Sequence, residues 1–229
     1  MSNNFLTKCI AGSVARLHQS SLKTIATVAL LTLSLQNLHA ASSVSQWNGA
    51  IVYAGSSKVS SGVPVSKCHV LTNEHAIRHW QKVSVAIARH KYIARVIAID
   101  KHHDLALLKL DTCPIRNYAK VSSTQPVRGE KLTSVYYRFG LIFSKKMIKS
   151  TGSFLGYLDV TTEEDKKMLS MVIDDKQPRK GASGGGVFTR NGLVSVIFGV
   201  TDGNMPHKTF AVDYFSLTQF LKKNNIYQE

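Results

Sequence analysis

From residue 49 onward, short apolar and β-branched runs return every ten residues or so, each ended by a Gly, Ser, Asn or Lys corner. That rhythm belongs to all-β chains. The runs fall at 49–54, 60–65, 68–72, 82–88, 91–99 and 105–110, which is six. A connecting segment from Thr112 to Pro126 leads to six more, at 131–137, 147–157, 168–174, 185–189, 193–200 and 208–213. Only Tyr214 to Lys223 breaks the rhythm. There Phe215, Leu217, Phe220 and Leu221 recur at helical spacing and predict a C-terminal helix packed on the sheets. No repeat or low-complexity tract appears. The length suits one folding unit, into which two small closed sheets sharing a cleft would fit.

The N-terminus has a different character. Residues 1–40 hold Lys8, Arg16 and Lys23 and no acidic side chain, with an apolar run from Thr24 to Leu35. A bilayer span needs ~20 apolar residues, so this shorter run suits a signal-peptide core. Leu38-His39-Ala40 offers a small residue before a cut at Ala40–Ala41, which predicts a signal peptide over 1–40 and a periplasmic or secreted product. The long polar lead-in also fits an uncleaved anchor. Removing 1–40 takes away three of 29 basic residues and none of the 14 acidic ones, leaving 189 residues with a net charge of +12. The excess permits weak association with anionic surfaces. The basic residues are scattered and no nucleic-acid motif accompanies them, so no specific nucleic-acid partner is expected.

Three segments carry chemistry. Lys180-Gly181-Ala182-Ser183-Gly184-Gly185-Gly186-Val187-Phe188 sets a serine on a glycine-rich turn before an apolar strand. A serine hydroxyl becomes a useful nucleophile only when a base takes its proton and N–H groups hold the resulting oxyanion. Alone, the run also fits an ordinary loop. Cys68-His69-Val70-Leu71-Thr72-Asn73-Glu74-His75 delivers a histidine at the end of a strand, and Asp104 opens the strand Leu105–Leu110 after a polar corner. An imidazole base needs a carboxylate on its other nitrogen. The segments supply base, orienting carboxylate and nucleophile in the order His, Asp, Ser.

That ordered set resembles the chymotrypsin-like serine peptidases, most closely their bacterial HtrA-type branch. VLTNEHAI resembles the histidine segment, DKHHDLALLKL the aspartate segment and GASGGGVF the nucleophile turn. The runs at 83–88 and 92–98 match the intervening hairpin, and the resemblance extends over about 46–227. It implies two six-stranded antiparallel β-barrels, over about 46–111 and 127–213, within a protease domain spanning 41–229. The active site lies in the cleft between them, with a short helix over 214–223. It implies a serine endopeptidase with His75 as general base, Asp104 as its orienter and Ser183 as nucleophile. The N–H groups of Gly181 and Ser183 form the oxyanion hole, the substrate is a polypeptide, and no cofactor or metal is required. Ala182 stands where the trypsin branch carries an aspartate, so that branch's form of zymogen activation is not expected. Gly186 replaces a more usual proline and is expected to loosen the turn slightly. HtrA-type proteases usually carry a PDZ module, which is not expected in this chain.

By the same resemblance, Ile197, Phe198 and Gly199 lie on the edge strand that pairs with an extended substrate. Gln177 falls at the bottom of the primary specificity pocket and Thr209 narrows it, implying a small or medium uncharged side chain. Cys68 lies seven residues before His75 and Cys113 nine after Asp104. In the resembled fold these strands are antiparallel neighbours, so their far ends meet and a Cys68–Cys113 disulfide is expected in an oxidising compartment. Cys9 leaves with the signal. His102 and His103 are adjacent, so on a strand they would face opposite ways. His69, His79, His90 and His207 show no ligand spacing either. Two other functions share these motifs: a catalytically silent domain that binds peptides or anionic surfaces, and an esterase. The usual esterase elbow leads into a helix, whereas Ser183 leads into a strand.

Overall fold

In the computed structural model, which describes residues 49–55, 58–88, 90–139, 145–162, 165, 167–179, 181–201 and 207–226, the apolar runs become strands. The signal peptide expected at 1–40 and Lys180 lie outside the described residues. The first set is β1 (Ala50–Ala54), β2 (Lys58–Pro64), β3 (His69–Thr72), β4 (Lys82–Ile87), β5 (His90–Asp100) and β6 (Leu105–Leu110). Antiparallel pairing in the order β1-β2-β3-β6-β5-β4 returns to β1 and closes a barrel. The second set is β7 (Lys131–Phe139), β8 (Lys145–Thr161), β9 (Lys167–Ile173), β10 (Gly186–Thr189), β11 (Gly192–Val200) and β12 (Thr209–Val212). It closes in the equivalent order, β7-β8-β9-β12-β11-β10. Closure removes the exposed sheet edges that invite aggregation.

Alternation explains the inside of each barrel. In β4, Val83, Val85 and Ile87 are buried while Lys82 is exposed, the period of a half-buried strand. Each barrel has its own apolar cluster: Val52, Val70, Val85, Ala94 and Leu108 in the first, and Leu132, Tyr136, Phe154, Met171 and Ile197 in the second. A third cluster crosses between them. It joins Val63, Leu71, Leu105 and Leu107 to Val135, Phe188, Leu193 and Val196.

A one-turn helix, α1 (Glu74–Ile77), follows β3, where the sequence indicated only the end of a strand. The C-terminal helix, α2 (Tyr214–Lys223), is capped by Asp213, whose carboxylate accepts the Ser216 N–H at 2.9 Å. Its Leu217, Phe220 and Leu221 join the shared core. Phe215, expected on that face, is 56% exposed because the buried stripe runs through Tyr214 and Leu217 instead. No described helix is long and apolar enough to cross a membrane.

The register of β3 on β6 pairs His69 with Lys109 and Thr72 with Ala106. One end of this pair therefore leads to His75 and Asp104. At the other end, the Leu110 N–H donates to the Cys68 carbonyl at 2.9 Å. Beyond it a turn brings Cys113 back to Cys68, with Cα atoms 4.2 Å apart in a disulfide.

Candidate active site

His75 sits on α1 and Asp104 immediately before β6, so both positions follow from the β3–β6 register. One oxygen of the Asp104 carboxylate accepts the His75 backbone N–H at 2.8 Å. The other lies 2.7 Å from Nδ1 of the ring. A carboxylate there requires Nδ1 to carry the proton, which leaves Nε2 as the free base. The Asp104 carbonyl is held by Asn73 Nδ2 at 2.9 Å and by the Glu74 N–H at 3.3 Å. These bonds maintain Asp104 at a φ of 54°, in the left-handed region that non-glycine residues seldom enter.

Asp100 prepares that corner. Its carboxylate accepts the N–H groups of His102 and His103 at 3.0 and 3.1 Å and lies 2.7 Å from His103 Nδ1. Burial pushes the Asp100 carboxyl up, but the His103 ring and backbone bonds outweigh it and hold it below its ordinary value. Asp100 is thus engaged with His103 and not with His75. His102 and His103 lie on the turn between β5 and β6 and not on a strand, with their rings edge to face at 4.6 Å. Among the described residues, no three His, Cys, Asp or Glu side chains gather as a metal-binding group.

Ser183 comes from the turn before β10, in the other barrel. Gly181 and Gly184 there have φ of 95° and 80°. A Cβ at Gly181 would fall 2.3 Å from the Phe139 ring, and one at Gly184 2.1 Å from the Ser61 carbonyl oxygen. Only glycine fits either position. The peptides of this turn are held from several sides. Ala182 N–H donates to Arg179 O at 2.9 Å, Gly185 N–H to Ala182 O at 2.8 Å, and Gly184 N–H to Ile197 O at 2.8 Å. Among the described residues the N–H groups of Gly181 and Ser183 have no acceptor. Two unused donors on one turn can stabilise an oxyanion. The Ser183 hydroxyl donates to the Phe198 carbonyl at 3.4 Å, and no hydrogen bond joins it to His75.

A cavity of about 390 Å³ opens beside His75 and Asp104. Phe198 and Gly199 line it, together with Phe210, Met168 and Val160. The Phe198 and Phe210 rings stack with centroids 6.4 Å apart. Ile197 is buried, and both its N–H and its carbonyl bond to the turn that carries Ser183. Gln177 and Thr209 are not brought to this cavity. Gln177 is exposed, its N–H on the Asp175 carboxylate at 3.0 Å. Thr209 is fully buried and donates to the Asp175 carbonyl at 2.8 Å. Sequence reading missed Val160, Met168 and Phe210, which belong to three different strands. The run of alternation through Asp159-Val160-Thr161 was the available signal that β8 continues this far.

The family model described as a trypsin-like peptidase domain matches residues 60–195. No curated protein sequence matches the chain. Among solved structures, the active form of the Rv3671c protease from M. tuberculosis is similar at 16% identity and a TM-score of 0.67, over 77% of this chain and 80% of that one. The MamO protease domain from Magnetospirillum magneticum is similar at 18% identity and a TM-score of 0.63, over 75% and 94%. The serine endoprotease from Yersinia pestis reaches 20% identity and a TM-score of 0.64, over 80% of this chain and 65% of that one. At these identities the likeness concerns the fold.

Proposed function

The chain belongs to the family of trypsin-like peptidase domains, and we propose that it is an exported serine endopeptidase working through a Ser-His-Asp triad and an acyl-enzyme. The observation that carries this reading is the His75–Asp104 pair, in which one carboxylate grips both the ring and the backbone of the base. Nε2 of His75 takes the Ser183 proton as Oγ attacks the scissile carbonyl carbon. The carbonyl oxygen becomes an oxyanion held by the Gly181 and Ser183 N–H groups. The imidazolium then gives its proton to the departing amine. Water, deprotonated by His75, releases the acyl group and restores Ser183. The substrate is an extended polypeptide running along Phe198 and Gly199. Export, with loss of 1–40, accords with the Cys68–Cys113 disulfide, since such bonds persist in oxidising compartments. The product is then periplasmic or secreted.

A second reading, a protease-like domain that binds peptides without cutting them, draws on the Ser183 hydroxyl facing the Phe198 carbonyl. Substrate-free sites commonly hold the nucleophile–base bond long and tighten it only when occupied. A fluorophosphonate probe separates the two. Covalent labelling of the wild type, absent in Ser183→Ala and His75→Ala, is expected of the peptidase. An unlabelled, well-folded wild type would establish the silent domain.

A further inference from the structure

We propose that Ser61 is a positioning residue for the turn carrying Ser183, holding the Gly181–Ala182 peptide so that the Gly181 and Ser183 N–H groups remain available to an oxyanion. This deepens the peptidase reading above and rests on it. Ser61 lies on β2 in the first barrel, 1% exposed and 120 residues away in sequence from Gly181. Its polar atoms are all engaged. Its N–H donates to the Ser183 carbonyl at 2.8 Å. Its carbonyl accepts the Thr72 hydroxyl at 2.8 Å. Its own hydroxyl accepts the Tyr137 N–H at 2.8 Å and donates to the Gly181 carbonyl at 2.8 Å. A hydroxyl has a single proton. With Tyr137 N–H occupying the acceptor side, that proton has only the Gly181 oxygen to go to.

The other bonds of this turn do less to fix its orientation. Ala182 to Arg179 and Gly185 to Ala182 are local, and Gly184 to Ile197 stays within the second barrel. Among the described residues, the hydrogen bonds from this turn to the first barrel, where His75 and Asp104 lie, are the two made by Ser61. Gly181 has no side chain and a φ that glycine enters and leaves freely. Nothing in the residue itself stops the Gly181–Ala182 peptide from rotating. Rotation would re-aim its neighbours, because the Gly181 and Ser183 N–H groups belong to the peptides on either side. Thr72, three residues before His75, completes the link, so one serine ties the strand leading to the base to the turn carrying the nucleophile. Ser60, its neighbour, supplies an internal contrast: its hydroxyl is buried with no hydrogen-bond partner.

The test compares Ser61→Ala, Ser61→Thr and Ser60→Ala, assayed well below their melting temperatures with a peptide substrate and with a peptide boronate, a tetrahedral mimic. In Ser61→Ala, kcat should fall about 10–100-fold. KM should stay within about threefold and the acidic limb of the pH profile unmoved, because uniform binding and the His75–Asp104 pair are untouched. Boronate affinity should fall by the same factor as kcat. Ser60→Ala should match wild type, and Ser61→Thr, which restores the hydroxyl, should recover most of the loss. A folded Ser61→Ala with wild-type kcat and boronate affinity overturns the proposal, as does a loss confined to KM. If the alanine variant does not fold, Ser61→Cys keeps the shape with a weaker donor and is judged by the same criteria. A wild type that neither hydrolyses peptides nor takes the fluorophosphonate refutes the peptidase reading. Ser61 is then judged by a crystal structure of Ser61→Ala: a turned Gly181–Ala182 peptide supports its role, and an unturned one overturns it.

Discussion

Asp104 fixes His75 through two different atoms, the backbone N–H and ring Nδ1, so its carboxylate sets both the position and the tautomer of the proposed base. Asp104→Asn keeps one acceptor oxygen for the backbone. It presents an amide where the ring needs an acceptor, inverting the tautomer. Turnover should fall about 10⁴-fold at neutral pH with the fold intact, checked by steady-state kinetics beside a circular dichroism spectrum. Full turnover would show that the carboxylate acts elsewhere. At this scale the three motifs were legible because their chemistry lies in contiguous residues. Ser61 was not, since nothing in Val59-Ser60-Ser61-Gly62 distinguishes a serine whose hydroxyl has two partners from one whose hydroxyl has none. Gly186 opens β10, and a Cβ there would meet the Phe188 ring at 2.6 Å.

The β3–β6 pair is the element on which the site depends, since its two ends hold His75–Asp104 and Cys68–Cys113. The disulfide closes a loop of sequence separation 45. In the chain-entropy model this stabilises by about 4 kcal/mol, less any strain. Cys68→Ala with Cys113→Ala should lower the unfolding free energy measured in urea by that much, while the folded fraction keeps its activity. Free thiols on both residues in protein purified from an oxidising compartment would refute the bridge. His69, at the start of the same strand, provides a pH readout. Burial, then the nearby Lys109 charge, pushes its imidazole below the ordinary value. The unfolded chain therefore binds a proton there more readily than the folded one. Stability is fully present above the ordinary histidine pKa of about 6.5 and is lost as pH falls below it towards the folded value. Replacing His69 with Gln should flatten that part of the stability profile; an unchanged slope would remove His69 from the account. Alternation made the strands legible to within a few residues, but not the reach of β8, which runs to Thr161 against an expected end at 157. That extra length delivers Val160 to the cavity beside Met168 and Phe210. Such a wall is assembled from residues far apart in sequence, and no local pattern encodes their meeting.

At the scale of the whole molecule, the barrels share a core as well as a cleft. β6 shows this within two residues. Leu107 joins the cluster that includes Val135, Leu193 and Val196 of the second barrel, while the adjacent Leu108 faces the interior of its own barrel. Both are fully buried. Period-two alternation thus turns one strand's two faces towards two different apolar masses. A cleft built this way keeps the proposed base and nucleophile in fixed relation because neither barrel can shift without opening apolar surface. Leu107→Ala and Leu108→Ala should each cost about 2–5 kcal/mol. If the shared cluster binds the barrels into one cooperative unit, both variants unfold in a single transition. The urea midpoint read from Trp80 fluorescence in a Trp47→Phe background, beside the first barrel, should then equal that read by hydrogen exchange across β10 and β11 in the second. Separate midpoints, with the second barrel unmoved by Leu107→Ala, would show two independent barrels. The geometry of the site would then rest on the Ser61 hydrogen bonds between them rather than on the core.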